Sequence, residues 1–140
     1  MVNAAEQARS VQLTSKIAAV VNLFKAEFPD AKADLKPWCN DPDTQEWVDP
    51  ESIDIGFHLP GWSPRFQGRS ILVQIRFHED PLEKTYQLIG LETAAFNHNG
   101  EAWRLSTVHN WELEGVSPPK PDVVAKMQNF CRQVFLLFHS

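Results

Sequence analysis

The sequence predicts an α+β fold: a four-stranded antiparallel sheet with an N-terminal and a C-terminal helix on one face, in the order α-β-β-β-β-α. Three observations carry this prediction. Helix-period apolar stripes stand at both ends of the chain, and residues 52–59 and 70–78 alternate with a period of two. The dipeptide Asn99-Gly100, a strong hairpin signal, separates two further apolar runs. At 140 residues the chain reads as one domain over 1–140, large enough to build a core without disulfide or metal staples.

In the first helix Leu13, Ile17, Val20, Val21, Phe24 and Phe28 recur at spacings of three and four, which makes one apolar stripe. Lys16, Asn22 and Lys25 lie opposite. Pro29 closes the helix, because the residue before a proline is kept out of helical geometry. Asn3, Ser10 and Thr14 are all available as caps, and the expected start is near Ala4 or Ala5. Residues 30–50 then form a long connection, its period broken by Pro37, Pro42, Pro50 and several aspartates. Trp38 and Trp47 are expected to pin that connection onto the body of the domain.

The first strand, Ser52 to Leu59, places Ile53, Ile55, Phe57 and Leu59 on one side and Asp54, Gly56 and His58 on the other. Pro60-Gly61 ends it. The second, Ser70 to His78, sets Ile71, Val73, Ile75 and Phe77 against Leu72, Gln74, Arg76 and His78. Glu79-Asp80-Pro81 turns the chain into the third strand. With a two-residue loop at Asn99-Gly100, Phe96 opposes Trp103, Ala94 opposes Leu105 and Glu92 opposes Thr107, while Gly90 opposes His109 and Leu88 opposes Trp111. An even loop length preserves these faces, and an odd one exchanges them. The last helix follows Pro118-Pro119-Lys120-Pro121. Its stripe of Val124, Met127, Cys131, Val134 and Phe138 is widened by Phe130, Phe135 and Leu137, more apolar surface than one sheet requires, which favours self-association.

Two surfaces are candidates for function. One face of the sheet holds Glu92, Thr107 and His109 among large aromatics. A carboxylate beside a histidine is the material of acid–base chemistry. The cluster reads either as a satisfied core group or as a catalytic or ligand pocket between sheet and helices, walled by Trp103 and Trp111. The other face offers Leu72, Ile89, Leu91 and Val108 rimmed by Gln74, Arg76, Gln87, Arg104 and Glu112, which is the make-up of a docking patch. Alternatively the 30–50 connection folds across it.

Other chemistries are excluded or weak. His58 and His78 lack the close spacing of zinc ligands and read as solvent-facing. Asp41-Pro42-Asp43 with Glu46 lacks the glycine and spacing of a calcium loop, so no metal site is expected. Cys39 stands among acids that disfavour a thiolate, and Cys131 belongs to the core stripe. No glycine-rich phosphate loop, nucleophile elbow or CxxC pair occurs, so no cofactor is expected. A formal charge of -5 argues against nucleic acid as a partner. The longest apolar run, Val134 to Phe138, is far short of the ~20 residues a membrane span needs. With no secretory signal at its start, the chain is placed in the cytoplasm, with both cysteines reduced.

The stretches Trp62-Ser63-Pro64-Arg65-Phe66, Leu88-Ile89-Gly90-Leu91-Glu92 and Trp103-Arg104-Leu105-Ser106-Thr107 resemble small uncharacterised cyanobacterial proteins. That resemblance implies no activity. The residues favour a non-catalytic interaction or binding module, with a protein partner or a second copy on the polar-rimmed face. The alternative is a small enzyme or ligand-binding protein using the Glu92, Thr107 and His109 pocket.

Overall fold

In the computed structural model, which describes residues 3–37, 52–83, 85–107 and 112–139, Ser10 sets the start of the first long helix. Its backbone is extended and its hydroxyl accepts from the Leu13 amide at 3.1 Å, satisfying one orphan donor of the first turn. The helix α2 therefore runs Val11–Glu27, and the expected start near Ala4 belongs instead to a separate turn, α1 (Ala4–Gln7). Leu13, Ile17, Val20 and Phe24 form the buried stripe. The Phe28 amide donates to the Phe24 carbonyl at 2.8 Å as the helix stops ahead of Pro29.

Between α2 and the last helix, α3 (Pro121–Phe138), lie six strands, where the sequence predicted four. They are β1 (Lys32–Asp34), β2 (Ser52–Ser63), β3 (Gly68–Asp80), β4 (Thr85–Asn97), β5 (Gly100–Ser106) and β6 (Leu113–Gly115). Each is antiparallel to the next, and sheet order follows chain order. The class is α+β as expected. The two additional strands are edge strands of three residues each, too short to show a period of two.

The strands β2 and β3 outrun their expected limits. Pro60-Gly61 does not end β2, because these residues fall between His58 and Ser63, where the register with β3 shifts. A proline is tolerated at such an irregularity, where no ladder bond is demanded of it. The chain turns instead at Pro64–Gln67.

The helices α2 and α3 pack antiparallel on one sheet face. Lys16, expected to face outward, turns in so that its ammonium donates to the Leu137 carbonyl at 2.7 Å, at the carbonyl-rich end of α3. Burial lowers its pKa. Farther along, the Asn129 amide donates to Glu27 at 2.8 Å. In the core, Phe24 stacks on Phe57 with centroids 3.8 Å apart and meets Phe130 edge-on at 5.2 Å. Ile53, Ile55, Ile71, Val73, Ile75 and Phe77 are fully buried beneath the helices.

Two bulges decide which side chains reach that core. Phe77 pairs with Leu88 but Arg76 pairs with Gly90, leaving Ile89 as an extra residue in β4. Tyr86 and Leu88 face the helices before the bulge; Leu91, Thr93 and Ala95 face them after it. In β5, Phe96 pairs with Glu101 and Ala95 with Trp103, so Ala102 is extra. The turn itself is His98-Asn99, closed by an Asn97 to Gly100 pair, rather than Asn99-Gly100. The predicted pairs are displaced by one residue: Trp103 opposes Ala95, Leu105 opposes Thr93, and Glu92 opposes Ser106. A displacement of one exchanges the faces, so Glu92 and Phe96 stand away from the helices and Leu91 stands in the core.

Candidate functional site

The sheet face turned away from α2 and α3 is built as rows running across the strands. Ser52, Arg76 and Gly90 form the first row, and Asp54, Gln74, Glu92 and Ser106 the second. Gly56, Leu72, Ala94 and Arg104 make the third, and His58, Ser70 and Phe96 the fourth. Alternation produces this order, since each of these residues sits between core residues such as Ile53 and Ile55 or Val73 and Ile75. Charged and polar groups therefore fill the first two rows, and apolar ones gather lower down.

The upper rows enclose a recess of about 260 Å3 lined by Ser52, Asp54, Gln74, Arg76, Glu92 and Thr107. Gly90 leaves room for it. The β4 bulge points this glycine outward, where an added Cβ would come within 3.8 Å of the Thr107 hydroxyl. Asp54 is 2% exposed, and Ser106 is fully buried. Asn3 bridges alongside Asp54, and the Gln7 amide donates to the Ser52 carbonyl at 2.7 Å, which fastens α1 against this end of β2.

Charge is organised around Glu92. Its carboxylate accepts from Arg104 at 2.5 Å and from the Ser106 hydroxyl at 3.1 Å. The Arg104 guanidinium also donates to Glu101 at 2.8 Å. Burial works against the Arg104 charge, but the Glu101 hydrogen bond and the charges of Glu92 and Glu101 outweigh it and hold its pKa above the ordinary value. Together the bonds from Arg104 and Ser106 fix the orientation of the Glu92 carboxylate.

The lower rows form a second groove of about 200 Å3, lined by Pro37, Gly56, His58, Ser70, Leu72 and Phe96. At its rim the His58 Nε2–H donates to Asp34 at 3.0 Å. That bond first, and then one from the Lys36 amide, lowers the Asp34 pKa.

The expected site residues are dispersed by the change in register. Glu92 and Thr107 do share one recess, but on the face away from the helices, not in a pocket between helices and sheet. His109, Trp111 and Val108 lie outside the described residues. Trp103 is a core residue, 1% exposed, and its indole N–H donates to the Phe66 carbonyl at 2.6 Å. Of the expected docking patch, Leu72, Arg76 and Arg104 are on this face, Ile89 protrudes from the bulge, and Leu91 is buried under the helices. Gln74, expected on the rim of that patch, and Asp54, expected on the same face of its strand, both stand on this face.

The remaining groups add no reactive centre. His58 pairs with Ser70 and His78 with Gln87, at opposite ends of β3, and no cluster of three metal-ligand side chains occurs among the described residues. Burial pushes the Cys131 thiol up to about 12, which keeps it protonated and unreactive. Cys39, Trp38, Trp47 and the acids of 41–46 lie outside the described residues. Arg65 pairs with Asp122 in the first turn of α3, and the Lys120 amide donates to the Arg65 carbonyl at 2.9 Å, so that loop arginine is a structural clasp. Among the described residues no helix is long and apolar enough to cross a membrane.

The arrangement sets donors and acceptors of both charges beside a small groove. No curated protein and no solved structure matches the chain. Residues 5–140 match a family described as a domain of unknown function, and the chain belongs to that family.

Proposed function

We propose that the chain is a non-catalytic binding module whose contact surface is the sheet face turned away from α2 and α3. The observation that carries this reading is the grading of that face from two rows with Arg76, Asp54, Gln74 and Glu92 to two rows where Leu72 and Phe96 stand beside Arg104, His58 and Ser70. Both signs of charge are present, with Arg76 and Arg104 beside Asp54, Glu92 and Glu101. Two copies related by a two-fold axis would meet on the lower rows of this face, beside the recess at Arg76. Leu72 and Phe96, both partly exposed, would supply the apolar centre. A second copy is therefore the partner this face fits.

The sequence also pointed to surplus apolar area on α3; Phe130 is buried and Phe135 and Leu137 half-buried, while Leu136, outside that reading, is 65% exposed above a groove with Ala19, Leu23 and Leu137. The two surfaces are separable by mutation. Light scattering over a concentration series should give twice the chain mass, and Leu72→Arg should return the monomer with an unchanged circular dichroism spectrum. A monomer at every concentration, or a dimer dissolved by Leu136→Arg and not by Leu72→Arg, counts against the sheet face.

A further inference from the structure

We propose that the recess in the upper rows binds a small zwitterion of the amino-acid class, its carboxylate on Arg76 and its ammonium between Asp54 and Glu92. This rests on the reading of that face as the binding surface and names a ligand for it. The register supplies the layout. Asp54, Gln74 and Glu92 are neighbours on three adjacent strands, so the two carboxylates flank the glutamine from either side, their backbones two strand spacings or roughly 10 Å apart. Arg76 stands two residues along β3 from Gln74, on the same face, and is exposed. An ammonium resting over Gln74 would thus meet an acid on each side, with the guanidinium one pleat away to take the adjoining carboxylate.

Capacity agrees with layout. A guanidinium has five N–H donors in a fork suited to carboxylates, and a carboxylate offers about four acceptor sites, so these groups can serve a ligand beyond their bonds within the protein. Arg104 is committed to Glu92 and Glu101 and fixes the Glu92 oxygens in place. Gln74, Ser52 and Thr107 add groups that both donate and accept. The ligand's size follows from the volume: about 260 Å3 lies just below the range of drug-sized pockets and suits an amino acid rather than a nucleotide. Among the described lining residues none is aromatic. A ligand carrying both charges meets an opposite charge at each end.

The test is thermal denaturation and calorimetric titration of the full chain with the twenty common L-amino acids at millimolar concentration. At least one should raise the melting temperature. The matching acid without its amino group and the matching amine without its carboxylate should each bind roughly tenfold or more weakly. Arg76→Gln should lose at least as much, its ligand-induced shift being read against the variant's own melting temperature without ligand. The proposal is overturned if no amino acid shifts the transition, if the singly charged analogues bind as well, or if Arg76→Gln binds normally. A null titration in a dimer that Leu72→Arg dissolves sinks the ligand and spares the surface. A titration that succeeds in a chain that is always monomeric sinks the self-association and spares the ligand.

Discussion

Thr93 is fully buried in the middle of the sheet, between Val73 and Leu105, and its hydroxyl has no hydrogen-bond partner among the described residues. A buried hydroxyl without a partner keeps its desolvation cost, about 1–3 kcal/mol, with nothing to offset it. Thr93→Val retains the β-branched shape and removes the polar atom. It should raise stability by about 1 kcal/mol, read as a higher urea midpoint at unchanged slope. Gly115 makes the opposite case. Its φ is +137° opposite Trp103, and an added Cβ would overlap the Ala102 carbonyl and the Trp103 backbone. Gly100 also has a positive φ, +108°, but open space around it. Gly115→Ala should therefore cost well over ~2 kcal/mol by chemical denaturation, and Gly100→Ala only the conformational part, about 1 kcal/mol.

At the scale of elements, Ser10 separates α1 from α2, and Ser10→Ala should cost about 1 kcal/mol, with lower helical ellipticity near the midpoint of thermal unfolding. The same residue shows how much of the fold the sequence disclosed. The two long helices and the central strands were legible because each repeats its period several times. The choice among Asn3, Ser10 and Thr14 as the cap was not, since all three are competent and the packing of Leu13 onto the core decides. The strands β1 and β6 escaped notice because three residues hold no pattern. Trp103 and Leu105 of β5 were placed on their true face, but the part of β4 beyond its bulge was misassigned for a sharper reason: a bulge is a one-residue event, and the run Leu88-Ile89-Gly90-Leu91 reads equally well with either neighbour inward. Glu92 was read as an acid on an aromatic face, and the true register moves it to the opposite, polar face. It had to be explained by Arg104 and Ser106, which only the true register brings to it.

For the whole molecule, Asp34 and His58 join the edge strand β1 to β2 and so influence stability against acid. The Asp34 pKa is lowered in the folded state, chiefly by the His58 hydrogen bond. Its contribution is thus complete above the ordinary carboxylate value near 4 and is lost as pH falls through the lower folded value. Asp34→Asn should destabilise the chain at pH 5–6, and the gap from wild type should close as melting temperatures are followed into acid below about pH 4. A gap that stays constant with pH would show that the carboxylate charge is not what this contact uses. The pairing of α2 with α3 reaches further, because Lys16 meets Leu137 across a sequence separation of 121 residues. During synthesis the whole sheet leaves the ribosome before the helix that completes its roof. Phe57, Ile75 and Phe77 stay partly uncovered until Val123 to Phe138 arrives, so closure of this core comes after translation of the sheet, and a nascent chain stalled ahead of α3 would present a sticky, half-built protein.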